Sequence, residues 1–359
     1  MAEPVRTTTT PHRGAERMAR YARGLVIGKF YPPHRGHTYL IDVARAHCDH
    51  LTIVVCDAAG QSIPGALRAA WLRELHPDAE VLRIDDVYPP DDSRVWAEQT
   101  IGWLGSAPGA VFTSENYGDA YARFMGCVHV QVDRARRAVP CSGTVVRQRP
   151  LALWDYLDPP VRAYFCARVC VVGAESSGTT TLARALAAHY GTGWVPEYGR
   201  DYWEEKMARA GLDGSGSPEA SAAWRTEEFV HIAREQARRE DEAARAADRV
   251  LIADTDPFAT EIWHDRYLGS RSPVVAAVAA ARPRPPDLYI VTDVDIPFVQ
   301  DGTRDGEHAR SWMHGRFLEE LRARALPHIV VSGPREERLR AAAAAIDARV
   351  LAPRGYVRV

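Results

Sequence analysis

The sequence predicts two doubly wound α/β domains in tandem, each a parallel sheet with helices on both faces. Three observations lead there. Short apolar runs alternate with segments of helical period through both halves of the 359 residues. Each half opens on an apolar run that passes through a glycine-containing loop into a helical segment. The rhythm breaks once, at LALWDYLDPPVRAYF (151–165).

Residues 1–22 lack an apolar segment and read as a disordered tail, with no secretory h-region and too little length for a helix-turn-helix domain. The first domain is expected over 23–150. GLVIG (24–28) is strand-like, HTYLIDVARAH (37–47) helical, LTIVVC (51–56) a buried strand and ALRAAWLREL (66–75) helical. EVLRI (80–84), WAEQTIGWL (96–104) and AVFTS (110–114) continue as strand, helix and strand. Residues 151–166 read as a linker, because Pro159 and Pro160 end any helix there. The second domain is expected over 167–359. It restarts with RVCVVG, and a long charged helix follows at 226–247. VLIADTD (250–256), DLYIVT (287–292) and HIVVSG (328–333) are its later strands, while GLDGSGSPEAS (211–221) and GSRSPV (269–274) read as surface loops.

The formal net charge of −2 speaks against bulk nucleic-acid binding or a polybasic membrane arm. No apolar run is long enough to span a bilayer. The six cysteines form no C-x-x-C pair and lie mostly in strand-like runs, so buried free thiols in a reducing cytoplasm are expected. Lys29 and Lys206 are the only lysines.

Positions 28–37 read GKFYPPHRGH, directly after a strand and before a helix. Transfer of a nucleotidyl group needs hydrogen-bond donors around a triphosphate, and a helix N-terminus already favours anions. His34 and His37, three residues apart, share the first helical turn. Gly36 lets the backbone approach, Gly28 allows a tight exit from the strand, and Lys29 adds charge beside Phe30. The pattern resembles the nucleotidyltransferase superfamily with the HxGH signature. CSGTVVR (141–147) is similar to that superfamily's late I-S-[GST]-T-x-x-R segment through Ser142, Gly143, Thr144 and Arg147, with Cys141 in place of isoleucine. The resemblance implies that these residues hold the β- and γ-phosphates of ATP.

The acceptor is suggested by a closer likeness. GKFYPPHRGH, SIPGALRAAWL (62–72) and VFTSENYGDAYARFMG (111–126) resemble NadR-type nicotinamide mononucleotide adenylyltransferases, through Arg68, Trp71, Ser114, Glu115, Tyr117 and Gly118. Trp71 or Trp96 is a candidate to stack on a nicotinamide ring. A phosphopantetheine or flavin mononucleotide acceptor is the rival.

GAESSGTTTL (173–182) nearly fits the P-loop pattern. Gly173 and Gly178 are correctly spaced and Thr180 holds the place of the metal-binding hydroxyl, but Thr179 stands where the lysine belongs. The loop resembles the NadR-type ribosylnicotinamide kinase through Glu175, Ser176 and Ser177, with Thr181 completing the run. WVPEYGRDYWEE is similar to that family's E-Y-[AG]-R-[DE] element through Glu197, Arg200 and Asp201. LIADTDPFAT (251–260) matches its D-T-D element through Asp254 and Asp256, and DIPFVQDGTRDGEHAR (295–310) looks like a lid with Asp301, Arg304 and Arg310. A riboside hydroxyl needs a carboxylate and Mg²⁺ needs oxygen ligands, so Asp201, Asp254 and Asp256 are the candidates, not separable from sequence. Thr180 and Asp254 are the expected metal ligands. Lys206, Arg200, Arg304 or Arg310 would have to replace the missing lysine.

The resemblance, over about 24–335, implies NAD biosynthesis. The first domain would join nicotinamide mononucleotide to ATP, and the second would phosphorylate nicotinamide riboside. The alternative is a weak or dead P-loop domain that senses nucleotide. The implied partners are these small molecules, with no nucleic acid, no operator and no membrane insertion. Self-association is left open.

Overall fold

The computed structural model describes residues 20–209, 224–282, 284–299 and 306–357. Asp301, Arg304 and the expected surface loop 211–221 lie outside them. The chain divides into two compact units, the first ending at Pro140 and the second beginning at Cys141. Ser142 through Arg147 therefore belong to the second unit.

The first unit alternates strand and helix. Its order is β1 (Tyr21–Gly28), α1 (Arg35–His47), β2 (Cys48–Asp57), α2 (Gly65–Leu75), β3 (Glu80–Asp85), α3 (Ser93–Leu104), β4 (Ala110–Thr113), α4 (Gly118–Met125) and β5 (Val128–Gln131). The sheet runs β3-β2-β1-β4-β5 with all strands parallel. β1 and β2 are apolar on both faces because helices cover both sides, and Leu25, Val26, Ile53 and Val54 are fully buried. Burying each such side chain contributes roughly 1.5–3 kcal/mol. α3 starts where Asp92 accepts from the backbone N–H groups of Arg94 and Val95, and it stops at Gly105 in the left-handed region.

The second unit contains α5 (Gly143–Gln148), α6 (Pro159–Phe165), β6 (Ala167–Val172), α7 (Thr179–Tyr190), β7 (Trp194–Val195), α8 (Tyr198–Arg209) and α9 (Thr226–Ala246). β8 (Val250–Asp254), α10 (Pro257–Leu268), α11 (Pro273–Ala280), β9 (Leu288–Thr292), α12 (Arg310–Ala323), β10 (His328–Val331) and α13 (Arg335–Ile346) complete it. Its sheet is again parallel, in the order β10-β9-β6-β8-β7. In both sheets the strand order reverses beside the unit's first strand, which opens a crevice at the carboxyl ends of β1 and β6.

The expected linker is folded. Pro159 opens α6 instead of ending a helix, because a first-turn proline lacks only an N–H that the helix would not use. Leu151, Trp154, Leu157 and Val161 around it are buried. Pro273 likewise opens α11 inside the expected loop 269–274. All six cysteines are free thiols. No helix of the described residues is long and apolar enough to cross a membrane.

Candidate nucleotide sites at the two sheet crevices

In the first unit the strand exit and helix start put two histidines face to face. His34 is the N-cap of α1 and its Nδ1 accepts from the Gly36 N–H at 3.1 Å. A neutral His34 therefore carries its proton on Nε2 and presents a donor outward. The His34 and His37 rings stack at 3.8 Å, and Phe30, itself buried, meets His37 edge-on at 5.0 Å. Burial, with the Arg136 guanidinium adding to it, pulls the His34 pKa down to about 4. Burial, then His34 and Arg136, hold His37 well below the usual imidazole range. Both rings are neutral near pH 7 and the buried Nδ1 of His37 has no partner among the described residues.

Around them, Gly28 ends β1 and Lys29 pairs loosely with Asp86 at 3.7 Å. The backbone carbonyl of Lys29 accepts from Arg68, which is fully buried and also bonds Ile63 O and Asp57 Oδ1 at 3.0 and 2.7 Å. Arg68 thus ties the loop after β1 to the loop after β2. Trp71 is 6% exposed, so its ring belongs to the interior and offers little face to a ligand. Trp96 packs edge-on against Tyr88 and Trp103 and donates its indole N–H to Pro89 O.

In the second unit, Ser142 caps α5 and Arg147 folds back to donate to Thr144 Oγ1 at 3.2 Å. The P-loop joins β6 to α7. Ser176 and Gly178 take positive φ values of 56° and 89°. Gly173 is required by crowding, since a Cβ there would stand 2.2 Å from Thr292 Oγ1. Ser177 donates to Ala174 O at 2.6 Å and exchanges a hydrogen bond with Thr292. Arg338 donates to Ser177 O at 2.7 Å and so fixes the loop from below.

The loop borders a cavity of about 470 Å³, with Glu175, Thr179, Thr180, Thr181, Glu197, Arg200 and Asp254 on its polar side. Its lining also carries an aromatic wall of Trp203, Trp224, Phe229, Trp263 and Tyr267. Trp203 stacks on Trp224 at 5.3 Å, and Trp263 on Tyr267 at 6.1 Å. Asp254 ends β8, and the hydroxyls of Thr180 and Thr179 lie near enough to draw its pKa down. Burial pushes it up to about 6 against the pull of those hydroxyls and of Arg200. Burial and the neighbouring Asp254 push Glu197 up to about 7, with Arg200 opposing.

The comparisons with known proteins bear on both units. A family model described as an AAA domain matches residues 168–338. The "Trifunctional NAD biosynthesis/regulator protein NadR" of Escherichia coli K12 is 31% identical over 306 residues, covering 78% of this chain and 71% of that protein. Its Salmonella typhimurium LT2 counterpart is 31% identical over 304 residues with the same coverage. The chain belongs to the NadR family. Among solved structures, a NadR protein in complex with NR aligns with a TM-score of 0.75 at 19% identity, covering 96% of this chain and 100% of that one. A NadR protein with NAD and AMP-PNP aligns with a TM-score of 0.73 at 18% identity, covering 96% and 99%. They share the two-unit α/β fold.

Within this NadR-family chain the geometry sorts the expected site residues. Asp256 is turned away from chemistry: its Oδ1 accepts from the Ala259 N–H at 2.9 Å as the cap of α10, and its Oδ2 accepts from the Tyr289 hydroxyl at 2.7 Å. Asp201 pairs with Arg239 of α9 at 2.7 Å and does not border the cavity. Lys206 is bound to Glu228 at 2.9 Å, lies over the Trp224 ring and does not border the cavity. Arg310 reaches the outside of the loop, donating to Ser176 O at 3.4 Å and Ile296 O at 2.9 Å. Of the expected replacement cations, Arg200 alone among the described residues borders the cavity. The aromatic wall was not read from sequence, because its members are spread from Trp203 to Tyr267 and meet only in three dimensions.

The NadR resemblance implies Mg²⁺ at the P-loop. The fit is good: Thr180 and Asp254 place two oxygens together, and the buried Asp254 Oδ2 has no hydrogen-bond partner among the described residues. Phosphate oxygens and water would supply the remaining ligands of such an ion.

Proposed function

We propose that the protein makes NAD. Its first unit transfers the adenylyl group of ATP to nicotinamide mononucleotide, and its second unit phosphorylates nicotinamide riboside to that mononucleotide. The stacked His34–His37 pair at the start of α1 carries the first assignment. The 5′-phosphate oxygen of the mononucleotide attacks the α-phosphorus, the bond to the β-phosphate oxygen breaks, and pyrophosphate leaves. No protein nucleophile is needed. His34 offers its Nε2–H to the developing charge, and the α1 N-terminus adds free N–H groups. Ser142, Gly143, Thr144 and Arg147 hold the β- and γ-phosphates, as the family motif implies. Lys29 adds charge there, and on this reading the functional domain runs past the first compact unit, which ends at Pro140, to about residue 150.

In the second unit the aromatic wall suits a pyridinium ring, which gains from stacking and from the ring quadrupoles. The P-loop N–H groups cradle the phosphates of ATP. Mg²⁺, held by Thr180 and Asp254, would neutralise charge on the phosphates. With Asp254 so used, and Glu175 held by Arg266 and the Gly306 N–H, Glu197 is the carboxylate left to take the proton of the riboside hydroxyl, with Arg200 steadying the transferred group.

One observation favours a second reading, in which this unit senses nucleotide without turnover. Thr179 stands where a P-loop lysine would and gives the loop no cation. Release of ADP from Mg-ATP by the intact chain, with and without nicotinamide riboside, separates the two. Riboside-dependent ADP supports the kinase; tight ATP binding with no ADP supports the sensor.

A further inference from the structure

The first unit holds a second cation beside the histidine pair that no motif marks. The loop after β5 is shaped by Asp133, whose carboxylate accepts from the backbone N–H groups of Arg137 at 2.8 Å and Ala138 at 3.0 Å. Its backbone carbonyl accepts from the Arg136 N–H at 2.8 Å. The turn sets Arg136 at a φ of 50°, in the left-handed region. The same loop packs on the HxGH turn: a Cβ on Gly36 would lie 3.8 Å from Val139 Cγ1. Arg136 is close enough for its charge to act on both His34 and His37. Its guanidinium also meets Glu115 Oε1 at 3.2 Å, and both side chains are about half exposed.

We infer that Arg136 is a triphosphate-binding residue of the adenylyl-transfer site, projected by the Asp133-capped loop and held by Glu115 until nucleotide arrives. This rests on the adenylyltransferase reading of the first unit. Two neutral histidines supply donors but no charge, whereas pyrophosphate leaves as a polyanion. A guanidinium beside them is a fork that can bond two phosphate oxygens at once. The pair with Glu115 is weak enough to exchange, since exposed ion pairs contribute about 1 kcal/mol or less.

The test is the steady-state rate of adenylyl transfer by the full chain from Mg-ATP to nicotinamide mononucleotide, for wild type, R136Q, R136K and E115Q. Circular dichroism checks that each variant folds. R136Q is expected to lose on the order of 10²-fold in kcat/KM for ATP, the scale of one lost donor at developing charge. Its KM for the mononucleotide should stay within about threefold. R136K should recover part of the loss, and E115Q should lose far less than R136Q. If the ion pair itself mattered, E115Q and R136Q would fall alike, and that result overturns the inference. So does an R136Q enzyme within threefold of wild type. A wild-type chain that makes no dinucleotide overturns the adenylyltransferase reading and the inference with it.

Discussion

Replacing Thr179 by lysine isolates the charge that the P-loop lacks. In the structure the Thr179 methyl Cγ2 would lie 3.2 Å from a Cβ placed on Gly173. Its short, uncharged side chain borders the cavity and supplies no cation there. A lysine at the start of α7 can extend into the 470 Å³ cavity that Thr179 borders. In comparable phosphoryl transfers one added cation is worth roughly 10³–10⁵ in rate, which is about 4–7 kcal/mol at 1.36 kcal/mol per factor of ten. Some of that is lost, because the ammonium also finds Glu175, Glu197 and Asp254 nearby before ATP binds. T179K is therefore expected to raise the riboside-dependent kcat by at least ~10²-fold, with adenylyl transfer to the mononucleotide unchanged. The assay is ADP release at saturating Mg-ATP, with a single-turnover experiment to separate chemistry from product release. A T179K enzyme that still binds ATP and is no faster than wild type would refute the reasoning. The charge would then already come from elsewhere, with Arg200 as the residue to remove next.

Three other predictions follow from the same geometry. E197Q should cut riboside phosphorylation by ~10²-fold or more; in the wild type, kcat/KM for the riboside should rise with pH through about 7, because Glu197 acts as a base only when deprotonated. A profile flat from pH 6 to 8 would remove Glu197 as the base. D256A should destabilise the fold by a cap's worth of about 0.5–2 kcal/mol and lower the melting temperature, while D254N should leave the melt near wild type and abolish phosphorylation; reversed behaviour in melting and rate assays would contradict the division of roles. His34 has its folded pKa lowered to about 4 from 6.5, so the unfolded chain binds more protons between those values. Stability is then full above about pH 6.5 and falls as pH drops towards 4, by up to about 3 kcal/mol, and H34Q should flatten that slope in denaturant titrations.

The fold was largely legible because parallel strands buried on both faces leave continuous apolar runs, as in LTIVVC and VLIAD, and these became β2 and β8. What the pattern hid was local. The two residues of β7 are too few to carry a period. The Pro159–Pro160 pair reads as a stop, although a proline after Asp158 is also a helix start. Asp256 followed by Pro257 carries that same start signal, and it explains why this aspartate caps α10 while Asp254, two residues earlier, faces the cavity. HxGH and the P-loop were visible because each packs its chemistry into a few consecutive residues. Arg136 and the aromatic wall were not, since neighbours in space leave no spacing in sequence.

The most direct test of the account is chromatography of the products formed by the intact chain from Mg-ATP and nicotinamide mononucleotide. The account predicts NAD and pyrophosphate in equal amounts, lost when His34 and His37 are both replaced by alanine. Absence of NAD from the wild-type chain, or its persistence in the double variant, would contradict it.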